Sequence, residues 1–310
     1  MKALVATGNE ILVGLADVPE PVAAADAALI RVEAFSVNRG EILALTGVYG
    51  TPTAPGVVPG QDVVGRVVVA AADGSGPAVG ARVVAHAAGG GWAELVAVAT
   101  DALTELPDAV PNEVAAALPL AGLTALRLLR HIDAPRGARV LLTGASGGVG
   151  HYLVELLTAA GASVTAVVAD AERGSRLAEF GARVITDIAA DTDRYDVIME
   201  SVGGEVFSEA IRKLAPGGLV LWFGQASLEP VRLDFFELMS ATPFTLKHFP
   251  HWVADTTDAE DLRTLVELVA DGGLHPELGR VADWAATAET LTDLNRRRIR
   301  GNAVLTIEAP

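Results

Sequence analysis

The segment Val140–Gly150, VLLTGASGGVG, is the stretch whose residue types and spacing best fit a chemical task. Gly144, Gly147, Gly148 and Gly150 supply positions without a Cβ, so backbone N–H groups can close on a phosphate. An apolar run enters this turn, and a helical pattern over 149–160 leaves it, stopped by Gly161. That helix would aim its positive N-terminus at an anion in the turn. Strand, glycine-rich turn and helix read together as a cradle for a dinucleotide pyrophosphate. The bland alternative is a glycine turn that only packs helix on strand; the two good flanking elements weigh against it.

Other chemistries are bounded by what the chain lacks. It has no cysteine, which excludes disulfides, cysteine-ligated zinc, iron–sulfur clusters and a thiol nucleophile. The six histidines form no ligand cluster in sequence, and His86 reads as an ordinary strand histidine. Thr143, Gly144, Gly148 and Gly150 also fit the Thr-Gly-x-x-x-Gly-x-Gly turn of short-chain dehydrogenases. Those enzymes use a Tyr-x-x-x-Lys pair. Here Tyr49, Tyr152 and Tyr195 are followed four residues on by Thr53, Leu156 and Met199. The turn also lies far from the N-terminus, so that assignment fails twice.

Composition narrows the partners. A chain of 310 residues has room for two domains, and 51% hydrophobic residues can fill two cores. The net charge of −16 repels phosphate backbones, so no nucleic-acid partner is expected. No apolar run reaches the ~20 residues that span a bilayer. The opening MKALVATGNEILVG lacks the apolar core of a signal peptide, and a cytoplasmic protein with no membrane partner is expected.

The elements that must hold the turn follow from texture. Before residue 114, short valine-rich runs alternate with Gly, Pro, Asn and Asp: ALIRVEA at 28–34, DVVGRVVVA at 62–70, ARVVAHA at 81–87 and WAELVAV at 92–98. This predicts a β-rich domain with tight turns. A helical pattern over 113–129 is interrupted by Pro119 and Gly122. Apolar strands at 139–142, 163–168, 183–186, 196–199, 219–223 and 244–247 then alternate with helical patterns, including 173–180 and 260–270. Such alternation predicts a parallel sheet covered on both faces. NAVLTI at 302–307 returns to strand.

With these features placed, the chain resembles the medium-chain dehydrogenase/reductase superfamily, in its zinc-free quinone oxidoreductase (zeta-crystallin-like) branch. The landmarks run in family order along the chain. They are Ala34-Phe-Ser-Val-Asn38, Thr46-Gly-Val-Tyr49, Pro59-Gly-Gln-Asp-Val-Val-Gly65, Val79-Gly-Ala-Arg-Val83, Gly90-Gly-Trp-Ala-Glu94 and Leu120-Ala-Gly-Leu-Thr-Ala125. After the glycine-rich turn come Asp196–Gly203, Leu214-Ala-Pro-Gly-Gly218 and Arg300-Gly-Asn-Ala-Val-Leu305. The resemblance implies an α/β protein: a GroES-like β-rich domain at 1–113 and 252–310, and a Rossmann doubly wound parallel sheet at 114–251. It implies an active site in the cleft between them. Where zinc relatives carry Gly-His-Glu, this chain has Gly60-Gln61-Asp62, so no catalytic zinc is expected.

The resemblance also implies roles. Asn38, Tyr49 and Thr124 would face nicotinamide and substrate. Gly144, Ser146, Gly147, Gly148, Val149, Gly150, Arg173, Gly224 and Arg297 would hold the cofactor. The position that carries the ribose-binding acid in NAD enzymes is Val168, while Arg173 matches a lysine that holds the 2′-phosphate of NADPH. Asp170 leaves NADH as second choice. Glu41 stands where relatives often have a carboxylate, and Gly301-Asn302 replaces a Gly-Lys pair. The expected reaction passes hydride from NADPH to a quinone or other small conjugated carbonyl. An enoyl-thioester or specialised enone reductase is the alternative, and a non-catalytic NADPH-binding protein a third. Relatives commonly form homodimers through the edge strand near 244–247. The aromatic-rich segment 228–252 could line either a pocket or that interface.

Overall fold

The computed structural model describes residues 1–240 and 243–307. Contacts divide the chain into two compact units, Met1–Leu123 with Asp255–Pro310, and Thr124–Ala254. The change of texture near residue 114 predicts a first boundary at 113/114. In the structure the helix at 112–116 packs on strands of the first unit, which takes the division past it.

The first unit opens with β1 (Lys2–Ala6) and β2 (Val13–Asp17), an antiparallel pair the sequence reading did not separate. Then come β3 (Ala27–Val37), α1 (Arg39–Leu45), β4 (Asp62–Val69), β5 (Arg82–His86), β6 (Leu95–Ala99) and β7 (Leu103–Glu105). The alternating patterns of β3 and β4 bury one face against a core of Ile30, Phe35, Val63, Val83 and Trp92. The helical pattern over 113–129 resolves into α2 (Asn112–Ala116) and α3 (Pro119–Leu129). Pro119 begins the second helix, as its missing N–H allows. Gly122 does not break it; a side chain there would press on Leu265.

The second unit follows the expected alternation. It runs β8 (Arg139–Leu142), α4 (Gly148–Ala159), β9 (Ser163–Val167), α5 (Ser175–Glu179), β10 (Arg183–Ile185), β11 (Tyr195–Glu200), α6 (Gly204–Ile211), β12 (Leu214–Trp222), α7 (Phe235–Ser240) and β13 (Thr245–His248). Among the described residues its sheet has six parallel strands in the order β10-β9-β8-β11-β12-β13. The order reverses at β8, so the loops after β8 and β11 sit at the switch point, where doubly wound sheets bind ligands. β12 starts earlier than its apolar run because Leu214 already pairs with Tyr195 across an irregular register.

The chain then returns to the first unit with α8 (Asp258–Ala270), β14 (Leu278–Asp283), α9 (Thr287–Asn295) and β15 (Asn302–Thr306). The order β14-β15-β3-β4-β5-β7, with β6 also on β3, completes the GroES-like sheet. Residues 241–242 of the aromatic-rich segment, and 308–310 of the C-terminal tail, lie outside the described residues.

Candidate functional site

Asn38 follows β3 and caps α1, and three side chains fix it. Its Nδ2 donates to Asp62 Oδ2 at 2.7 Å and to Ser36 Oγ at 3.1 Å. Its backbone N–H donates to Glu41 Oε2 at 2.8 Å. Ser36 Oγ also donates to Asp62 Oδ2, and the Leu120 N–H donates to Asp62 Oδ1 at 2.9 Å. Asp62 is fully buried, so each of these donors replaces a lost water. Gly60 makes the approach possible: its φ is +99°, and a Cβ there would lie 2.2 Å from the Trp92 ring. Trp92 in turn donates its indole N–H to the Ser36 carbonyl at 3.1 Å.

Glu41 is buried beside this group, and its Oε1 has no hydrogen-bond partner. Burial first, then the Asp62 charge, push its carboxyl up to about 8, against the pull of nearby backbone N–H groups. Tyr49 has an exposed ring, while its hydroxyl turns over Gly40. Burial of that hydroxyl and then Glu41 raise its pKa, with Arg39 opposing. Thr124 is buried in α3. Arg297 closes α9 with a left-handed φ of 58°, and its charge lowers the pKa of Arg39, after burial.

The glycine-rich turn joins β8 to α4 in the second unit. α4 has twelve residues and starts at Gly148, so its first-turn N–H groups lack intrahelical acceptors. A Cβ on Gly150 would fall 2.3 Å from the Ala145 carbonyl oxygen; only glycine lets the helix start this tightly. Ser146 Oγ accepts from Arg173 Nε at 3.2 Å, so the guanidinium reaches across to the turn. Asp170 Oδ1 accepts from the Arg173 N–H at 3.0 Å and is committed to that short turn. Val168, after β9, is buried. Gly224 follows β12 and lies against Ser201.

Sequence reasoning missed a further buried acid, Glu200. It accepts from Thr143 Oγ1 at 3.0 Å, Val202 N at 2.8 Å and Gly203 N at 3.0 Å, and burial raises its pKa. It ties the loop after β11 to the strand that feeds the glycine-rich turn. An acid closing the apolar run YDVIM was the available signal. Asp62 gave the same signal at the head of DVVGRVVV, and its bond to Asn38 was not foreseen.

The structure thus brings Asn38, Glu41, Asp62 and Ser36 together in one unit, and Ser146, Arg173 and the glycines in the other. Among the described residues, a seven-stranded GroES-like sheet and a six-stranded Rossmann sheet with this turn define a two-unit dehydrogenase/reductase. Residues 24–108 match the alcohol dehydrogenase GroES-like domain, and residues 148–271 match the zinc-binding dehydrogenase family. The chain is 31% identical to a mouse quinone oxidoreductase over 232 residues, 70% of each chain. It is 26% identical to an acryloyl-coenzyme A reductase of Sulfurisphaera tokodaii, over 89% of this chain and 91% of that one. A mycobacterial protein solved in complex with NADPH superposes with a TM-score of 0.89 at 28% identity, over 99% of this chain and 100% of that one. The chain belongs to the medium-chain dehydrogenase/reductase superfamily, in its quinone oxidoreductase branch.

The name of the matched family raises zinc, and the donor set here does not fit it. There is no cysteine, and among the described residues no three His, Asp or Glu side chains converge on one point. Asp62, where zinc relatives carry an acid, already accepts from Ser36, Asn38 and Leu120.

Proposed function

We propose that this protein is a zinc-independent, NADPH-dependent reductase of quinones and α,β-unsaturated carbonyls. The observation that carries the cofactor choice is the Arg173 guanidinium on Ser146 of the glycine-rich turn, with a buried valine where a ribose-binding acid would stand. Arg173 would exchange its bond to Ser146 for the 2′-phosphate, which its planar fork suits. Gly144, Ser146, Gly147, Gly148, Val149 and Gly150 would line the pyrophosphate, with Gly224 and Arg297 as further contacts. Bound NADPH supplies the hydride.

Asn38 would meet the acceptor carbonyl, Thr124 the nicotinamide, and Tyr49 would border the substrate or pass it a proton. A conjugated carbonyl is already electrophilic. Hydrogen-bond donors can then stabilise the developing oxyanion without a Lewis acid. The acryloyl-coenzyme A reductase relative favours a second reading, in which the conjugated carbonyl is an enoyl thioester. The same proposal takes the protein to be a cytoplasmic homodimer joined through edge strand β13. Sedimentation as a monomer would contradict the dimer, and recovery of the native protein in a membrane fraction would contradict the location.

The test of the cofactor reading is a fluorescence titration of wild type and Arg173→Ala with NADPH and NADH. Wild type should prefer NADPH, and the variant should lose about tenfold or more in NADPH affinity, typical of a charge-assisted hydrogen bond, with NADH little changed. Equal affinities in both proteins would remove the NADPH assignment.

A further inference from the structure

Two carboxyl groups, Glu41 and Asp62, are buried within one hydrogen-bonded cluster in the first unit. Their surroundings differ in a way that decides where a proton sits. Asp62 accepts from a hydroxyl, a side-chain amide and a backbone N–H, so both of its oxygens are served. Three donors offset the cost of burying that carboxylate. Glu41 has one bond of good geometry, from the Asn38 N–H to Oε2, and its Oε1 is buried with no partner. As an anion, Glu41 would hold an unserved charged oxygen beside a second anion. As an acid it holds none. The charge of Asp62, after burial, disfavours ionisation of Glu41.

We propose that Glu41 is a positioning residue kept as the neutral carboxylic acid, and that with the Asp62 anion it forms a one-proton pair fixing Asn38. Asp62 holds the Asn38 side chain, and Glu41 holds its backbone N–H. The pair thereby sets the direction in which Asn38 can meet a substrate carbonyl; this use of the pair rests on the role proposed for Asn38 above. Ionisation of Glu41 would set a second negative charge under Asn38 and repel the electron density that builds on a reduced carbonyl oxygen.

The other charged and titratable groups around Glu41 do not alter this. Arg39 on α1 and Tyr49 after α1 are coupled to one another, and Arg39 is set against Arg297 at the end of α9. His86 on β5 stands opposite Asp62 in register and is bonded through Nδ1 to Asp258 Oδ2 at 2.7 Å. Burial and Asp62 hold the Glu41 carboxyl up to about 8, against an ordinary 4.5. The folded chain then keeps a proton that the unfolded chain releases above 4.5. The contribution of Glu41 to stability is complete below pH 4.5 and falls as the pH rises towards 8.

The test compares wild type with Glu41→Gln, a neutral isostere of the acid. The denaturant midpoint of wild type relative to E41Q should be constant below pH 4.5 and drift against wild type from there towards pH 8. The relative folding constant should change by up to about tenfold per pH unit. NADPH-dependent reduction should lose kcat/KM above pH 8 in wild type, and E41Q should lack that limb. Glu41→Ala should lower kcat at every pH, with E41Q restoring most of it. A midpoint difference that does not move with pH, or an alkaline limb unchanged in E41Q, overturns the proposal. If no quinone, enone or enoyl thioester is reduced, the functional reading fails, while the stability titration still reports the proton. Should E41Q not fold, infrared absorption decides. A carboxylic-acid C=O band present at pH 7 in Glu200→Gln, and lost near pH 8, supports the neutral acid; absence of that band overturns it.

Discussion

Asn38 depends on neighbours that sequence motifs alone do not reveal. Asp62 Oδ2 accepts from Asn38 Nδ2 and from Ser36 Oγ; in Asp62→Ala the Asn38 amide keeps its bond to Ser36, while the buried Ser36 hydroxyl loses its acceptor. Such a loss costs about 1–3 kcal/mol per group. Asp62→Ala should therefore lower the thermal midpoint and kcat together, measured by calorimetry and steady-state kinetics. Asn38→Ala should lower kcat by about a hundredfold, as the loss of one oxyanion donor does elsewhere, with NADPH affinity unchanged. An Asn38→Ala enzyme of full kcat would remove the residue from the reaction. The landmark Ala34-Phe-Ser-Val-Asn38 pointed to Asn38, and Gly60-Gln61-Asp62 drew notice only as a departure from zinc ligands. The bond between them joins residues 24 apart in the chain, one just past β3 and one at the head of β4, and the pairing of those strands is a property of the sheet.

The glycine-rich turn is where sequence reading and structure lie closest. Its strand, turn and helix are local in the chain, so periodicity and glycine spacing suffice to place them. The requirement at Gly150 is equally local. Its missing Cβ avoids a 2.3 Å contact with the Ala145 carbonyl, so Gly150→Ala must push the helix away from the turn. Overpacking of this kind costs about 1–3 kcal/mol. Calorimetry should show that loss, and NADPH titration should show binding weakened by more than stability alone explains. Unchanged NADPH affinity in Gly150→Ala would separate the turn from the cofactor. Elements fixed by distant partners were harder to read. β1 and β2 are stabilised by pairing across a short loop, and β14 gains its place by lying parallel to β15. β14 alternates half-buried and exposed positions and opens on Leu-Gly-Arg, with little apolar signal. Gly122 looked like a break in a helix and is instead the space that Leu265 of α8 occupies.

The net charge of −16 has a consequence for binding an anionic cofactor. Its field opposes approach, while Arg173 and the N-terminus of α4 attract only at short range. Added salt screens the field first, so the association rate of NADPH should rise between low and physiological ionic strength, as stopped-flow fluorescence would show. A rate that falls steeply with salt would mean that a positive surface steers the cofactor. The two-unit architecture was legible because valine-rich strands give way to strand–helix alternation, yet the division near residue 123 was not. α2 carries a helical pattern like those of the Rossmann unit but packs on β3 and β4, and only contacts reveal that allegiance. The architecture is shared by reductases of different acceptors, so the acceptor decides what this chain does. The most direct measurement is steady-state oxidation of NADPH against a panel of quinones, enones and enoyl thioesters, with a zinc chelator present throughout. At least one conjugated carbonyl should turn over, undiminished by the chelator and faster with NADPH than with NADH. Tight NADPH binding with no turnover of any acceptor, or turnover abolished by the chelator, would contradict it.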